Sequence, residues 1–343
     1  MQNLCLYNSR TVSLPDLIDT TVSRRFAIDS DKQILYLLTA HSIYSFTFED
    51  KTCKLIYSSP DQTITVEDLS FLSEINQLVF GLSNGDLLSL QLEDNFEETT
   101  NTIGTLEECI HQLKSSPDQQ TLVAVTNTKV LLLSTSNDYE PIAETPLDTN
   151  EFGEQQLVNV GWGSKTTQFH GSAGKKAALE PVNNTPTKLR SEHDDGRSHL
   201  VWRDDGDLFA VSFLSQINQW RTIKIFNKQG QLQATSESPL NGCIESALAW
   251  KISGELIGAA MRFNNGQKLT ISFLEKNGLK HGELILDTTG NAQRCVEHLA
   301  WNKDSSILAV VLREEVQMDF FLNSISLFYS FLERFSSSIM VIE

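Results

Sequence analysis

The sequence predicts an all-β fold, a β-propeller of small sheets packed radially about an axis. Two observations carry that expectation. A strand–turn–strand pattern recurs at about 45 residues, the spacing of propeller blades. No long amphipathic helical stretch occurs before the last 25 residues or so, which excludes alternating strand–helix units. A single sheet cannot bury both faces. Radial packing of like sheets buries both and leaves only short edges.

The N-terminal copies come first. Phe26-Ala-Ile-Asp-Ser-Asp-Lys-Gln-Ile-Leu-Tyr is centred on Ile28, Leu69-Ser-Phe-Leu-Ser-Glu-Ile-Asn-Gln-Leu-Val-Phe80 on Phe71, and Leu113-Lys-Ser-Ser-Pro-Asp on Ser115. The C-terminal copies are sharper. Leu200-Val-Trp-Arg-Asp-Asp-Gly-Asp-Leu-Phe-Ala-Val211, Ala247-Leu-Ala-Trp-Lys-Ile-Ser-Gly-Glu-Leu-Ile-Gly258 and Leu299-Ala-Trp-Asn-Lys-Asp-Ser-Ser-Ile-Leu-Ala-Val310 each set a tryptophan before a polar turn and a second apolar strand. The six anchors, residues 28, 71, 115, 202, 250 and 301, lie 43, 44, 87, 48 and 51 residues apart. Trp202, Trp250 and Trp301 are expected to be structural blade anchors that fill the space between neighbouring sheets. The pattern counts five units and the start of a sixth over residues 1–313.

The long interval holds an insertion at about residues 152–198. Its centre, Val158-Asn-Val-Gly-Trp-Gly-Ser-Lys-Thr-Thr-Gln-Phe-His-Gly-Ser-Ala-Gly-Lys-Lys-Ala177, is Gly-rich, and residues 155–191 carry a local balance of +4 in a chain of formal charge −17. A positive island on an acidic protein can meet an acidic partner or RNA phosphate. Trp162, Lys165, Phe169, His170, Lys175 and Lys176 are therefore the candidate partner- or RNA-binding residues. Asn183 to Asp195 is polar and predicts a flexible surface loop. After Arg313 the repeat stops. Residues 314–343 form a divergent tail, in which Phe321, Ile325, Phe328 and Leu332 fall at helical spacing and predict a short amphipathic helix. The tail is not expected to supply strands to the sixth unit.

Composition narrows the functional classes. The acidic balance disfavours broad nucleic-acid binding. Five cysteines, Cys5, Cys53, Cys109, Cys243 and Cys295, are scattered without zinc-type spacing and read as buried thiols in a reducing compartment. The first residues lack the pattern of a signal peptide, and no run of 18 apolar residues occurs, so no membrane association is expected. The expected location is the cytoplasm, with the nucleus as a second. Asn183-Asn-Thr185 matches a glycosylation sequon that would stay unmodified there.

Catalytic motifs fail on their context. Gly81-Leu-Ser-Asn-Gly85 matches a nucleophile elbow, but strands flank it on both sides, and Asn84-Gly85 reads as a hairpin turn. Gly171-Ser-Ala-Gly-Lys-Lys176 lacks the first glycine and the final hydroxyl of a phosphate loop. The seven histidines form no metal-binding pair and read as turn or edge residues. The many carboxylates read as turn caps, with no pair standing out. No metal, cofactor or catalytic residue is expected.

Four stretches carry a resemblance: Asn159-Val-Gly-Trp-Gly-Ser-Lys-Thr-Thr-Gln-Phe-His-Gly-Ser-Ala-Gly174, Val201-Trp-Arg-Asp-Asp-Gly-Asp-Leu-Phe-Ala-Val-Ser212, Phe273-Leu-Glu-Lys-Asn-Gly-Leu-Lys-His-Gly282 and Leu299 to Val310. In this order they resemble the family of the largest Elongator subunit, over residues 1–313. The resemblance implies a WD40-type propeller, the first of two in a large non-catalytic scaffold with a helical C-terminal region. It implies other Elongator subunits as partners, the catalytic radical-SAM/acetyltransferase subunit and a second WD40 subunit among them. It also implies an indirect link to tRNA, whose wobble uridines the complex modifies. The family's first propeller has seven blades, so the expectation here is a truncated form, an incomplete ring of five to six. A generic WD40 adaptor and a propeller-fold hydrolase are the alternatives.

Overall fold

In the computed structural model, the residues described are 22–50, 52–92, 100–148, 190–237, 239, 241–263, 268–286, 294–314 and 341–342. Every element among them is a strand. Sheet 1 comprises β1 (Val22–Asp29), β2 (Ile34–Thr39), β3 (Ser42–Thr47) and β4 (Thr52–Ser58). Sheet 2 comprises β5 (Val66–Leu72), β6 (Gln77–Leu82), β7 (Asp86–Gln91) and β8 (Thr100–Thr105). Sheet 3 comprises β9 (Gln112–Ser115), β10 (Thr121–Val125), β11 (Lys129–Ser134) and β12 (Glu140–Pro146). Sheet 4 comprises β13 (His199–Trp202), β14 (Leu208–Leu214), β15 (Arg221–Asn227) and β16 (Leu232–Thr235). Sheet 5 comprises β17 (Gly242–Trp250), β18 (Leu256–Phe263), β19 (Lys268–Glu275) and β20 (Lys280–Ile285). Sheet 6 holds β21 (Arg294–Trp301), β22 (Leu308–Glu314) and β23 (Val341–Ile342).

Sheets 1 to 5 are antiparallel meanders in chain order. Each returns the chain to the end where it entered, so the first strands are parallel to one another. They pack in sequence around the axis, β1 on β5, β5 on β9, β9 on β13, β13 on β17 and β17 on β21. All six sequence anchors lie on these first strands, and the expected β-propeller is the fold. Sheet 6 departs from expectation in one respect. The tail does contribute to it, because β23 pairs in parallel with β22 (Val310 opposite Val341). A parallel pair needs a crossover of a dozen residues or more, and the chain between Glu314 and Val341 is long enough to make one. The helix expected over Phe321 to Leu332 lies outside the described residues.

Alternation along each middle strand turns apolar side chains to both faces, and each gap between sheets becomes a core of its own. Tyr36, Leu38, Ile43, Leu78, Phe80 and Leu90 fill the gap between sheets 1 and 2. Leu72, Val79, Ile110, Leu122 and Ala124 fill the next, and Val123, Leu132, Phe209, Val211 and Phe226 the third. Ile225, Trp250, Ile257 and Met261 occupy the fourth, and Ala260, Leu269, Ile271, Leu299 and Val310 the fifth. Fully burying such a side chain contributes about 1.5–3 kcal/mol. A further cluster, Leu35, Leu37, Tyr44 and Phe46, lies on the face of sheet 1 turned from sheet 2 and takes no member from another described sheet. Among the described residues the ring is not closed between sheets 6 and 1, as expected of an incomplete propeller.

The Asn84-Gly85 turn joins β6 to β7, and Gly85 sits at φ +92° with its N–H donating to Leu82 O at 3.0 Å. A Cβ there would stand 2.5 Å from Leu106 O and 2.7 Å from Glu108 O. Gly85→Ala is expected to cost about 1–3 kcal/mol in denaturant unfolding. Gly104→Ala, whose Cβ would meet nothing within 4 Å, should stay within about 0.5 kcal/mol.

Candidate interaction site: a charged network at one end of the axis

Three to five residues before each anchor, the first strands interrupt their apolar pattern with charge or polarity. Arg25, Glu67 and Asp68, His111 and Gln112, Ser198 and His199, Glu245, and Glu297 and His298 occupy these places. Pairing to the second strand slips there in sheets 1, 2, 5 and 6, between Val22 and Phe26, Val66 and Asp68, Ile244 and Leu248, and Val296 and His298. Such a bulge re-aims side chains that regular alternation would bury among apolar neighbours. The residues gather at the end of the axis where the first strands begin.

The contacts run from sheet to sheet. Arg25 Nη1 lies 3.2 Å from Asp68 Oδ2 and donates to His111 O. Asp68 Oδ2 also accepts the Leu113 N–H at 2.8 Å, tying sheet 2 to sheet 3. Arg197 Nη2 reaches Glu67 Oε2 at 2.6 Å and His111 O at 3.3 Å. Arg221 makes the deepest pair. Its Nε and Nη2 donate to the two carboxylate oxygens of Asp194 at 2.6 and 2.8 Å, Nη2 also to Asp195 at 3.0 Å, with both Arg221 and Asp194 side chains 0% exposed. In sheet 5, Glu245 Oε1 accepts from Arg262 Nε at 2.6 Å and from Ser191 Oγ at 3.0 Å.

Protonation follows these contacts. Burial and the nearby Arg197 and Arg25 push His111 down to about 4. It is neutral near pH 7, and its Nδ1 accepts the Ser198 N–H at 2.9 Å. Burial also lowers His199 despite the opposing pull of Asp195, so Nε2–H donates to Asp195 Oδ2 at 2.7 Å as a neutral group. Burial would raise Asp195, but the His199 hydrogen bond and the Arg221 charge hold it well below the usual carboxylate range. Glu67 is likewise held low by Thr65 and Arg197 against burial. Chemically, the network is an ion-pair lattice in which four arginines meet five carboxylates. Two of its atoms, Arg197 Nε and Glu245 Oε2, are buried without a hydrogen-bond partner. Among the described residues no group of three or more His, Cys, Asp or Glu is arranged to hold a metal ion.

Several sequence expectations need correction. Asn183 to Asp195 was expected as a surface loop; among its described residues Glu192 and Asp195 are exposed, but Ser191 and the Asp194 side chain are buried, because Glu245 and Arg221 supply partners that spacing cannot reveal. His111 does stand at an edge strand, just before β9, but it is a buried hub there. Carboxylates do cap turns, as Asp29 Oδ1 does for the N–H groups of Asp31 and Lys32. The pairs Glu67-Asp68 and Asp194-Asp195, however, stand apart from that background. Of the four described cysteines, all free thiols, only Cys295 is buried. Trp162, Lys165, Phe169, His170, Lys175 and Lys176 lie outside the described residues.

The tryptophans sit at the opposite end of the first strands. Trp250 is buried between sheets 4 and 5. Trp202 is half-buried, 4.9 Å from Phe209 and at 52° to it, and Trp301 is half-buried beside Phe273. The residue after one anchor stacks on the next, with Arg203 over Trp250 at 6.0 Å and Lys251 over Trp301 at 5.8 Å.

Comparison with known proteins assigns this arrangement to a family. The model of the ELP1 first N-terminal β-propeller matches residues 1–330, past the boundary drawn at Arg313 from the repeat. The chain belongs to the Elongator complex protein 1 family. It is 39% identical over 232 residues to Elongator complex protein 1 of Mus musculus, covering 68% of this chain and 16% of that one. With the Drosophila melanogaster protein it shares 32% over 305 residues, 88% of this chain and 23% of the other. With that of Saccharomyces cerevisiae (strain ATCC 204508 / S288c) it shares 30% over 307 residues, 79% and 22% respectively. The chain thus spans less than a quarter of these Elongator complex protein 1 relatives. Among solved structures, Kuenenia stuttgartiensis hydrazine synthase superposes with a TM-score of 0.58 over 86% of this chain and 76% of that one; at 10% identity it shares the fold alone.

A histidine held proton-free in the fold takes up a proton on unfolding below its ordinary value of 6.5. Stability should therefore fall as pH drops from 6.5 to 4, by about 3 kcal/mol from His111, and below that the decline passes to Asp195 and Glu67, whose carboxyls the fold holds low. His111→Asn keeps an acceptor for the Ser198 N–H without the titration. Urea unfolding across that window should show a flatter limb for the variant.

Proposed function

We propose that this propeller is a non-catalytic docking module of the Elongator scaffold subunit. It would support wobble-uridine modification of tRNA by holding other subunits, the radical-SAM/acetyltransferase subunit and the second WD40 subunit among them, in the cytoplasm or nucleus. Family membership carries the reading. The axial network supports it, since each of its arginines is paired with a carboxylate. Docking would use loops and sheet edges as anchors, and the +4 insertion with Trp162, Lys165, Phe169, His170, Lys175 and Lys176 is the part of this acidic chain best matched to acidic protein surfaces or tRNA phosphate.

The test mixes the purified chain with purified Elongator subunits and with tRNA. Capture of at least one subunit is expected, and failure to capture any would overturn the scaffold reading. The triple variant Lys165→Glu, Lys175→Glu, Lys176→Glu should bind subunits or tRNA at least tenfold more weakly, a loss of about 1.4 kcal/mol or more. Unchanged binding of both would remove the insertion from the interface.

A further inference from the structure

The nine residues that lead into β13 touch four sheets in succession. Ser191 Oγ donates to Glu245 of sheet 5 at 3.0 Å. Asp194 and Asp195 receive Arg221 of sheet 4, whose Nη1 also donates to Arg197 O at 2.9 Å. Arg197 crosses to Glu67 of sheet 2. Ser198 donates its N–H to His111 and its hydroxyl to Thr126 O at 2.9 Å, both on sheet 3. The other end of the same connection is held nearby. Asp148 Oδ2 accepts the N–H groups of Gln216 and Ile217 at 2.6 and 3.3 Å, in the turn between β14 and β15, and Lys224 Nζ donates to Leu147 O. Arg221 opens β15 opposite Leu214 at that same turn. One hairpin therefore grips both ends of the connection from sheet 3 to sheet 4.

We propose that Arg190–Ser198 is a clasp that locks the inner ends of sheets 2 to 5 to one another, and that Arg221 is the residue on which it closes. Elsewhere neighbouring sheets meet through the apolar gaps and through single polar contacts such as Asp68 to the Leu113 N–H, and Arg25 reaches from sheet 1 past sheet 2 to His111 O. The clasp spans further, from Glu245 of sheet 5 to Glu67 of sheet 2 across the axis. Its closure rests on one guanidinium. Without Arg221, Asp194 is a buried charge with no counter-ion, and it must leave its site to reach water. Ser191 and Arg197 are three residues to either side and must move with it. Loosening would then spread to Glu67 and His111, which lie on other sheets.

Hydrogen exchange on the full chain reads this directly. Arg221→Met should speed exchange at least tenfold at the Ser198 amide and at the Leu113 amide, which bonds to Asp68 of sheet 2 rather than to the clasp. The amides of Val123 and Leu132, mid-strand in sheet 3, should hold. Acceleration confined to Ser191–Ser198 and Ser212–Arg221 would mean a local pair only and would overturn the clasp. Should Arg221→Met fail to fold, Glu67→Gln decides. It cuts the far end of the clasp on sheet 2 and should speed exchange at the Gly196 amide, which bonds to Asp194 Oδ1. An unchanged Gly196 amide would overturn the proposal.

Discussion

Each sheet of this protein is apolar on both faces, and that constraint governs the rest. Leu38 and Leu37 are adjacent on one strand, point to opposite sides, and are both buried. A sheet of this kind has no face to offer water, so it must be covered twice. Radial stacking supplies one cover from each neighbour and lets a single pattern serve for every copy. The five described gaps are built alike for that reason, although the residues filling them differ.

The same geometry crowds the first strands around the axis, and there apolar packing alone would specify little. The chain places charge at that point. Bulges in four of the first strands break the alternation and deliver Glu67 or Glu245 to the axial end without turning the strand's apolar set out of the core. Buried ion pairs contribute modestly to net stability, since desolvation offsets attraction. Their effect is discrimination, because an arginine denied its carboxylate is far worse than a leucine slightly misplaced. Arg25 to Asp68 ties sheet 1 to sheet 2, Arg197 to Glu67 ties the lead-in of sheet 4 to sheet 2, Arg221 to Asp194 ties that lead-in to sheet 4, and Arg262 to Glu245 lies within sheet 5, so the network holds the inner ends of the sheets in one arrangement.

The fold was legible because propeller repeats are local. A strand, a turn and a returning strand fall within a dozen residues, and Trp202, Trp250 and Trp301 mark the register by eye. The N-terminal copies were harder because Ile28, Phe71 and Ser115 vary at the same place, yet all three lie on first strands as their spacing required. The charged network was not legible as a network. Its pairs span large separations, 130 residues from Arg197 to Glu67, and no local pattern links them. The signal that existed was positional: a charged or polar residue three to five places before each anchor, at the start of an otherwise apolar strand. The clasp was hidden for a further reason. Ser-Glu-His-Asp-Asp-Gly-Arg-Ser, residues 191–198, is the composition of a solvated loop, and only the arginines and glutamates of distant sheets turn it inward.

The two ends of the first strands thus use cations in opposite ways. At the entry end, arginines meet carboxylates in buried and half-buried ion pairs of defined geometry. At the far end, Arg203 and Lys251 lie over the tryptophans of the next sheet, a contact that needs only a ring face and tolerates sliding. A stack of this kind can repeat from copy to copy without a dedicated partner, which explains why the tryptophan recurs in the C-terminal copies with a basic residue after Trp202 and Trp250. Ion pairing at one end ties the inner strands and the clasp together, and stacking at the other bridges neighbouring sheets. An acidic chain needs both, because its surplus carboxylates would otherwise compete for every arginine near the axis.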